Sequence, residues 1–124
     1  MSTNRRHQFQ MENKAWERSL EFFRQENALL KYRLSEIVDH TDEKNLLTLA
    51  EYFQNEFVAK DEEADHLLKL IRLLSDKLSG KTNDAEIEMS LLSKQEKLRN
   101  KILIFENDFL QLSTEFNARM QQTV

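Results

Sequence analysis

The chain has 124 residues, a net charge of −4 and a pI near 5.4, with 40% hydrophobic and 32% charged residues. It contains one glycine, no proline and no cysteine, which argues against a sheet protein and excludes disulfides and thiolate metal sites. Because proteins that bind nucleic acid usually carry a basic excess, the acidic balance predicts no nucleic-acid partner.

The chemistry that the sequence can support is limited in the same way. One glycine cannot build a phosphate-binding loop or a nucleophile elbow, and no catalytic motif is visible. The N-terminal residues lack the apolar segment of a secretory signal, and no apolar run approaches the roughly 20 residues of a membrane span. We therefore expect a cytoplasmic, non-enzymatic protein that has no cofactor and no membrane partner.

Apolar residues at seven-residue spacing predict a first helix over residues 8–38. They are Phe9, Trp16, Phe23, Leu30 and Ile37, with Leu20 and Leu34 in the interleaved positions. The polar run over residues 39–45 then predicts a tight connection, in which Thr41 or Asp42 accepts hydrogen bonds from amides of the next helix. The alternative is one continuous helix over residues 8–79, since neither glycine nor proline interrupts it.

A second apolar repeat predicts a helix over residues 42–79. Its members are Leu46, Ala50, Phe53, Phe57, Ala64, Leu67, Ile71, Leu74 and Leu78. Gly80 follows this repeat as the only glycine, which predicts a left-handed C-terminal cap. The segment from Asn83 to Glu86 has the pattern of a capping box and predicts the start of a third helix.

The third repeat predicts a helix over residues 84–121. Its members are Leu91, Leu98, Ile102, Phe105, Phe109, Leu112 and Phe116. Since both connections are short, neighbouring helices should run antiparallel. The sequence therefore predicts an all-α fold, an elongated antiparallel three-helix bundle with coiled-coil-like heptad packing, as a single domain over residues 1–124.

The turn positions, near residues 40 and 81, predict which residues lie opposite one another. Phe57 should pack against Phe23 on the first helix and Phe105 on the third, within one mid-bundle aromatic cluster. The predicted core residues are Trp16, Phe23, Phe53, Phe57, Phe105 and Phe109. The same register places the acidic residues 61–65 level with the basic residues 94–101, where opposite charges would attract.

Four polar residues occupy repeat positions that are otherwise apolar, namely Asn13, Asn27, Lys60 and Gln95. Lys60 should bury its stem and extend its amine out of the seam. The nearest acidic side chains in the predicted register are those of Glu17, Glu21 and Glu106. For Asn27 the sequence leaves two interpretations open, a tolerated polar residue and one that specifies helix register.

A second apolar ridge lies beside the main repeats. Phe22 and Leu29 are seven residues apart on the first helix, and Leu103 and Leu110 are seven apart on the third. A ridge of this kind would be an unusual apolar surface on a monomer, so we expect it to form an interface. The predicted partner is a second copy of the chain in a symmetric homodimer, or a helix of another protein. The function that we predict is that of a protein–protein interaction or scaffold module.

A metal-binding or ligand-binding bundle is one alternative function. Residues 63–66 have the Glu-x-x-His spacing of di-iron carboxylate bundles, but the chain has one copy where that site needs two. Glu63 and His66 are therefore weak candidates for metal ligands, and no metal is expected.

A second alternative rests on His66 alone. The segment from His66 to Lys69 resembles the His-x-Leu-Lys of histidine phosphotransfer domains, which are also helical bundles with an exposed histidine. The resemblance covers four residues and implies a signalling bundle that carries phosphate on His66. That family has small residues after the lysine, where this chain has Leu70 and Ile71. The simplest interpretation is a histidine on a solvated helix face.

Overall fold

The computed structural model describes residues 3–80 and 84–123, and it confirms the predicted all-α three-helix bundle. Helix α1 spans Thr3–Asp39, α2 spans Lys44–Ser79 and α3 spans Ala85–Thr123. Helices of 37, 36 and 39 residues are each about 55 Å long at 1.5 Å per residue. Because α1 and α2 are separate helices, the alternative of one continuous helix is wrong. None of the described helices has the length and apolar composition needed to cross a membrane.

The connection between α1 and α2 is held by local hydrogen bonds. The amides of His40 and Thr41 donate to the carbonyls of Ile37 and Val38, at 3.2 and 3.3 Å. The bonds of His40 and Thr41 use backbone groups that the end of α1 would otherwise leave unpaired. The Thr41 hydroxyl accepts from the Glu43 amide at 3.2 Å. Glu43 precedes α2, and no described side chain caps the start of that helix, so the predicted cap by Thr41 or Asp42 is wrong.

The C-terminal end of α2 differs from the prediction. Gly80 has φ −71° and ψ 151°, which is extended backbone, so the predicted left-handed cap is wrong. Its amide donates to the Lys77 carbonyl at 3.2 Å. The Arg6 guanidinium at the start of α1 donates to the carbonyls of Leu78 at 2.8 Å and Gly80 at 2.6 Å. The end of α2 is therefore capped by a side chain from α1, and this arrangement needs no left-handed residue.

The start of α3 is capped by Asp84. Its Oδ1 accepts from the amide of Glu86 at 2.9 Å and, more weakly, from that of Ile87 at 3.4 Å. The predicted capping box begins at Asn83, which lies outside the described residues. A carboxylate at this position satisfies exposed amides and also suits the positive end of the helix.

Contacts of α1 fix the relative directions of the helices. Arg6, near the start of α1, contacts Leu78 at the end of α2 and Glu88 at the start of α3. Arg33, near the end of α1, donates to Asn117 near the end of α3 at 2.7 Å. Helix α2 therefore runs antiparallel to α1 and α3, which are parallel to each other.

Phe57 is fully buried, but its ring contacts differ from the predicted ones. It stacks on Phe53 with centroids 6.1 Å apart and meets Phe116 edge to face at 5.2 Å. The aromatic contacts predicted with Phe23 and Phe105 are replaced by these. The part of the core near the α1–α2 connection is thus built around Phe116. The predicted register places this residue too far from Phe57 for contact.

The other aromatic group centres on Phe23. Its ring makes edge contacts with Phe105 at 5.9 Å and Phe109 at 5.1 Å. Phe105 and Phe109 are each 3% exposed, whereas Trp16 and Phe23 are only partly buried. The Arg99 guanidinium lies over the Trp16 ring at 6.0 Å and covers part of its outer side. The ring contacts therefore form two groups, and Phe23 and Phe109 connect them, because both pack in the same part of the core as Phe53, Phe57 and Phe116.

The register of α1 against α2 differs from the predicted one. The predicted register sets Phe53 level with Asn27, but the Asn27 side chain bonds to the Phe57 carbonyl and to Asp61, each at 2.8 Å. The facing residues are therefore shifted by more than one helical turn. Part of the shift arises because α1 extends to Asp39 and α2 begins only at Lys44, so that the turn lies beyond residue 40.

Candidate functional site in the groove between α1 and α3

An ion pair closes one end of the groove between α1 and α3. Arg99 donates through Nε to Glu12 Oε2 at 2.9 Å and through Nη2 to Glu12 Oε1 at 2.7 Å, a two-point contact. Burial raises the pKa of Glu12, but hydrogen bonds from Arg99 and Gln95 outweigh this and hold it below the ordinary value. Glu12 is therefore charged at neutral pH and anchors α3 on α1.

A buried polar network continues from this ion pair into the core. Gln95 donates through Nε2 to Glu12 Oε1 at 2.9 Å and to Asn13 Oδ1 at 2.8 Å. Asn13 in turn donates to the Ser75 hydroxyl of α2 at 3.1 Å. Asn13 and Gln95 are 1% and 0% exposed, so polar side chains link all three helices inside the bundle. Sequence reasoning found Asn13 and Gln95 as polar seam positions but missed Glu12, Arg99 and Ser75.

Asn27 makes a separate polar contact between α1 and α2. It is 1% exposed, and its Nδ2 donates to the Phe57 carbonyl and to Asp61 Oδ1. Asp61 also forms an ion pair with Lys31 of α1. Burial raises the pKa of Asp61, but the bonds from Lys31 and Asn27 hold it below the ordinary value. These bonds require one alignment of the two helices at this level.

Lys60 is 8% exposed, and its partner differs from the expected ones. Its amine lies 3.2 Å from the carboxylate of Glu63, one turn along α2, and 5.9 Å from the centre of the Phe105 ring. The expectation that it approaches Glu17, Glu21 or Glu106 is therefore wrong. Lys60 reaches the bundle edge along its own helix, which requires no acidic residue on another helix.

The four residues of the second ridge are exposed, and we call them the apolar patch. The exposed fraction is 56% for Phe22, 58% for Leu29, 52% for Leu103 and 55% for Leu110. They therefore lie outside the three-helix core and present apolar surface to solvent.

The spacing of residues along α1 places Phe22 and Leu29 beside α3. Glu12 and Arg33 both bind side chains of α3, which marks the side of α1 that faces it. Residues three or four apart are neighbours on a helix surface. A line of such steps from Glu12 to Arg33 passes through Phe22, Glu26 and Leu29.

The same argument places Leu103 and Leu110 beside α1. Arg99 and Asn117 both bind side chains of α1. A line of three-residue and four-residue steps from Arg99 to Asn117 passes through Leu103, Glu106 and Leu110. The apolar patch therefore flanks a single groove, between the Glu12–Arg99 ion pair and the Arg33–Asn117 hydrogen bond.

Two carboxylates lie among the four apolar residues. Glu26 falls between Phe22 and Leu29 on α1, and Glu106 falls between the two leucines of α3. Both are partly buried, and burial raises the pKa of Glu106. A helix that covers the patch would bury these groups further, so its binding should depend on their charge.

The charged stretches of α2 and α3 do not meet in the predicted way. In the acidic stretch, Asp61 and Asp65 face α1, where they bind Lys31 and Arg24. Glu63 contacts Lys60 of its own helix. Among the described residues, no ion pair joins residues 61–65 to residues 94–101, so the expected pairing of the two stretches is not formed. Glu63 and Lys101 do border one shallow depression.

His66 is exposed on α2, as its position beside the seam predicts. It borders a shallow depression together with Glu63, Lys101 and Ile104. Within the described part of the chain, no three histidine, aspartate or glutamate side chains are grouped in a way that could hold a metal ion. The chemistry available around His66 is therefore that of a single exposed imidazole beside a carboxylate and an amine.

Comparison with known proteins adds no relative to this description. No protein-family model, curated protein or solved structure matches the chain.

Proposed function

We propose that this chain is a non-enzymatic protein–protein interaction module that self-associates through the apolar patch. The observation that carries the proposal is the exposure of Phe22, Leu29, Leu103 and Leu110, each more than half exposed, along one groove. Large apolar side chains exposed along one groove are typical of protein interfaces, because water contact with them is unfavourable.

A second copy of the chain suits the patch because both sides of the groove have the same spacing. Phe22 and Leu29 are seven residues apart, as are Leu103 and Leu110, which corresponds to about 10 Å along each helix. A copy related by a two-fold axis presents this spacing again, so that apolar pairs meet apolar pairs. A symmetric homodimer would bury all eight side chains.

The oligomeric state tests this proposal directly. Size exclusion with light scattering at micromolar concentration should give twice the chain mass of 14.8 kDa. Leu103→Glu with Leu110→Glu should give the mass of one chain with helicity unchanged, since both residues lie outside the core. The matched control is Tyr52→Glu with Val58→Glu, two exposed apolar residues of α2, which should remain dimeric.

Two results would contradict the proposal. A wild-type chain that is monomeric at micromolar concentration would exclude self-association as its function. A dimer that survives the α3 double substitution but not the α2 control would place the interface on another face.

A second candidate function is histidine phosphotransfer, which the exposure of His66 favours. The test is incubation with a small phosphodonor, followed by detection of acid-labile phosphate in the wild type and in His66→Ala. On the interaction proposal, neither protein is labelled, and His66→Ala changes neither stability nor dimer mass. Iron or zinc that copurifies at a fixed ratio and is lost in His66→Ala would instead support the metal-binding alternative.

A further inference from the structure

A second groove, between α2 and α3, contains a cluster of like charges. One lysine of α2 and three of α3 border a depression of about 240 Å³. We call this depression the lysine slot and define it by Lys77, Lys94, Lys97 and Lys101. It lies on a different face from the apolar patch, which flanks the groove between α1 and α3.

The amines of the lysine slot have no acidic partner among the described residues. The described ion pairs involve Arg6, Arg24, Lys31, Lys60 and Arg99, and none involves a lysine of the slot. In the acidic stretch of α2, Asp61 and Asp65 pair with α1 and Glu63 pairs with Lys60. Glu63 also borders a depression that it shares with Lys101, but no described ion pair joins these two residues. The slot is therefore a concentration of positive charge on a chain whose net charge is −4.

The positive charges of the lysine slot repel one another. Lys77 and Lys94 border the same depression, and the charge of Lys77 lowers the pKa of Lys94, with a smaller effect from Lys97. Like charges held this close are unfavourable, and an anion placed between them relieves the repulsion. The geometry thus favours a negatively charged ligand.

The floor of the slot is apolar. Leu73 is 59% exposed and Leu70 is partly buried, while Leu74 and Leu98 lie beneath them in the core. Phosphate groups of a nucleic acid would neutralise the lysines but leave these leucines in water. A flat anionic membrane would contact the ends of the lysines without filling a depression between two helices. A ligand that fits both features has acidic groups beside apolar ones.

The length of the slot matches a short helix. Lys94 and Lys101 are seven residues apart, two helical turns or about 10 Å. An amphipathic helix places apolar side chains at the same interval, with other residues on each side of that stripe. If those flanking residues are Asp or Glu, they lie level with the lysines while the stripe covers Leu70 and Leu73.

We propose that the lysine slot binds an acidic amphipathic helix of a partner protein. The apolar stripe of that helix covers Leu70 and Leu73, and its carboxylates pair with Lys77, Lys94, Lys97 and Lys101. This contact is independent of the proposed self-association, so the dimer and the single chain should both make it.

The probe for this proposal is a fluorescein-labelled 18-residue helical peptide with leucines at positions i, i+4 and i+7, flanked by glutamates. Fluorescence anisotropy with the full chain should show saturable binding that weakens as salt is added. Lys94→Glu with Lys97→Glu should weaken it at least about tenfold, which corresponds to about 1.4 kcal/mol. Leu73→Ser should also weaken it, because the apolar floor is lost.

Two matched controls distinguish binding in the lysine slot from general attraction between opposite charges. Lys14→Glu with Lys44→Glu makes the same change in net charge at exposed positions outside the slot, and should alter binding by less than about twofold. The same peptide with lysine in place of glutamate should not bind. Circular dichroism should show equal helicity for all variants, since each substituted side chain is exposed.

Any of three results would overturn the proposal. One is the lack of saturable binding at millimolar peptide, and another is equal weakening by the control lysine pair. The third is capture of the chain by phosphatidylserine vesicles through Lys94 and Lys97 without binding of the peptide. That outcome would assign the slot to a membrane surface.

Discussion

Asn13 and Gln95 are 82 residues apart in the sequence, and their side-chain amides meet inside the bundle with 2.8 Å between Gln95 Nε2 and Asn13 Oδ1. Each is almost completely buried, so this bond replaces contacts with water that neither group can make. It ties α1 to α3 at one level, and the bond from Asn13 to Ser75 ties both to α2.

We predict that single apolar substitutions in this pair destabilise the chain and that the double substitution costs less than their sum. Gln95→Leu leaves the oxygen of Asn13 buried without that donor, and Asn13→Leu removes the acceptor from Gln95. Each should lower the free energy of unfolding by about 1–3 kcal/mol. Asn13→Leu with Gln95→Leu restores apolar contact, with a coupling energy of about 0.5–3 kcal/mol.

Urea unfolding of the four proteins in this cycle measures the coupling. The control cycle pairs Asn13→Leu with Asn27→Leu, a buried amide that bonds at another level of α1 and should be additive. Strict additivity of Asn13 with Gln95 would show that their hydrogen bond contributes nothing to stability.

The helices and their buried stripes could be predicted from sequence because the signal is local. Apolar residues at intervals of four and three place a stripe on any helix, whatever it packs against. The buried polar positions were visible for the same reason, since Asn27 and Gln95 interrupt such a stripe. Composition favours the break between α1 and α2, because residues 39–45 offer no apolar side chain to a core, but without glycine or proline it does not exclude a continuous helix.

The partners of these residues could not be predicted, because they depend on register and on the hand of the bundle. Periodicity does not say which flank of α2 turns toward α1. The structure turns Asp61 and Asp65 toward α1, and Leu73 and Lys77 toward α3. This choice pairs Asp61 and Asp65 with α1 and leaves Lys77 beside the lysines of α3, which forms the lysine slot. The cap on the C-terminal end of α2 could not be predicted for the same reason, because it is formed by Arg6 of α1.

Phe57 provides a direct test of core packing. Its ring is fully buried against Phe53 and Phe116, so Phe57→Ala removes a side chain and leaves a cavity. We expect a loss of about 3–5 kcal/mol in the free energy of unfolding, measured by urea at fixed protein concentration. The control is Tyr32→Ala, at a position that is 62% exposed, which should change stability by less than about 0.5 kcal/mol. A loss below about 1 kcal/mol for Phe57→Ala would contradict the observed burial.

Lys60 tests whether a seam position can tolerate an apolar residue. The stem of Lys60 is buried, but its amine meets Glu63, whose side chain is 48% exposed. Lys60→Leu keeps apolar contact in the seam and releases a carboxylate that water can solvate. We expect thermal and urea unfolding to show unchanged or increased stability, since an exposed ion pair contributes at most about 1 kcal/mol.

Lys60→Ala is the control that separates charge from packing. It also removes the ion pair but leaves the space of the stem empty, so it should be less stable than Lys60→Leu. If Lys60→Leu and Lys60→Ala are equally and strongly destabilised, the amine contributes through a buried charge interaction. That result would contradict the edge position of the amine.

The charge of Glu106 should make stability depend on pH. Burial raises the pKa of this carboxyl above its ordinary value of 4.5, so the folded chain holds the proton more tightly than the unfolded chain does. The resulting stabilisation is fully present below the unfolded pKa and is lost as the pH rises through the folded pKa. At neutral pH the group is therefore a partly buried charge between Leu103 and Leu110, and its presence opposes both folding and the covering of the apolar patch.

Glu106→Gln removes this charge without changing the shape of the side chain. We expect its melting temperature to exceed that of the wild type at about pH 7, and the difference to shrink as the pH falls toward about 4. Sedimentation should show that the same substitution strengthens self-association at neutral pH, because the patch then covers a neutral amide. Glu62→Gln, at an exposed position on α2, makes the same chemical change and serves as the control. A Glu106→Gln chain that is less stable than wild type at neutral pH would show that the carboxylate makes a favourable contact. In that case the groove between α1 and α3 is suited to a cationic partner and not to a second copy of the chain.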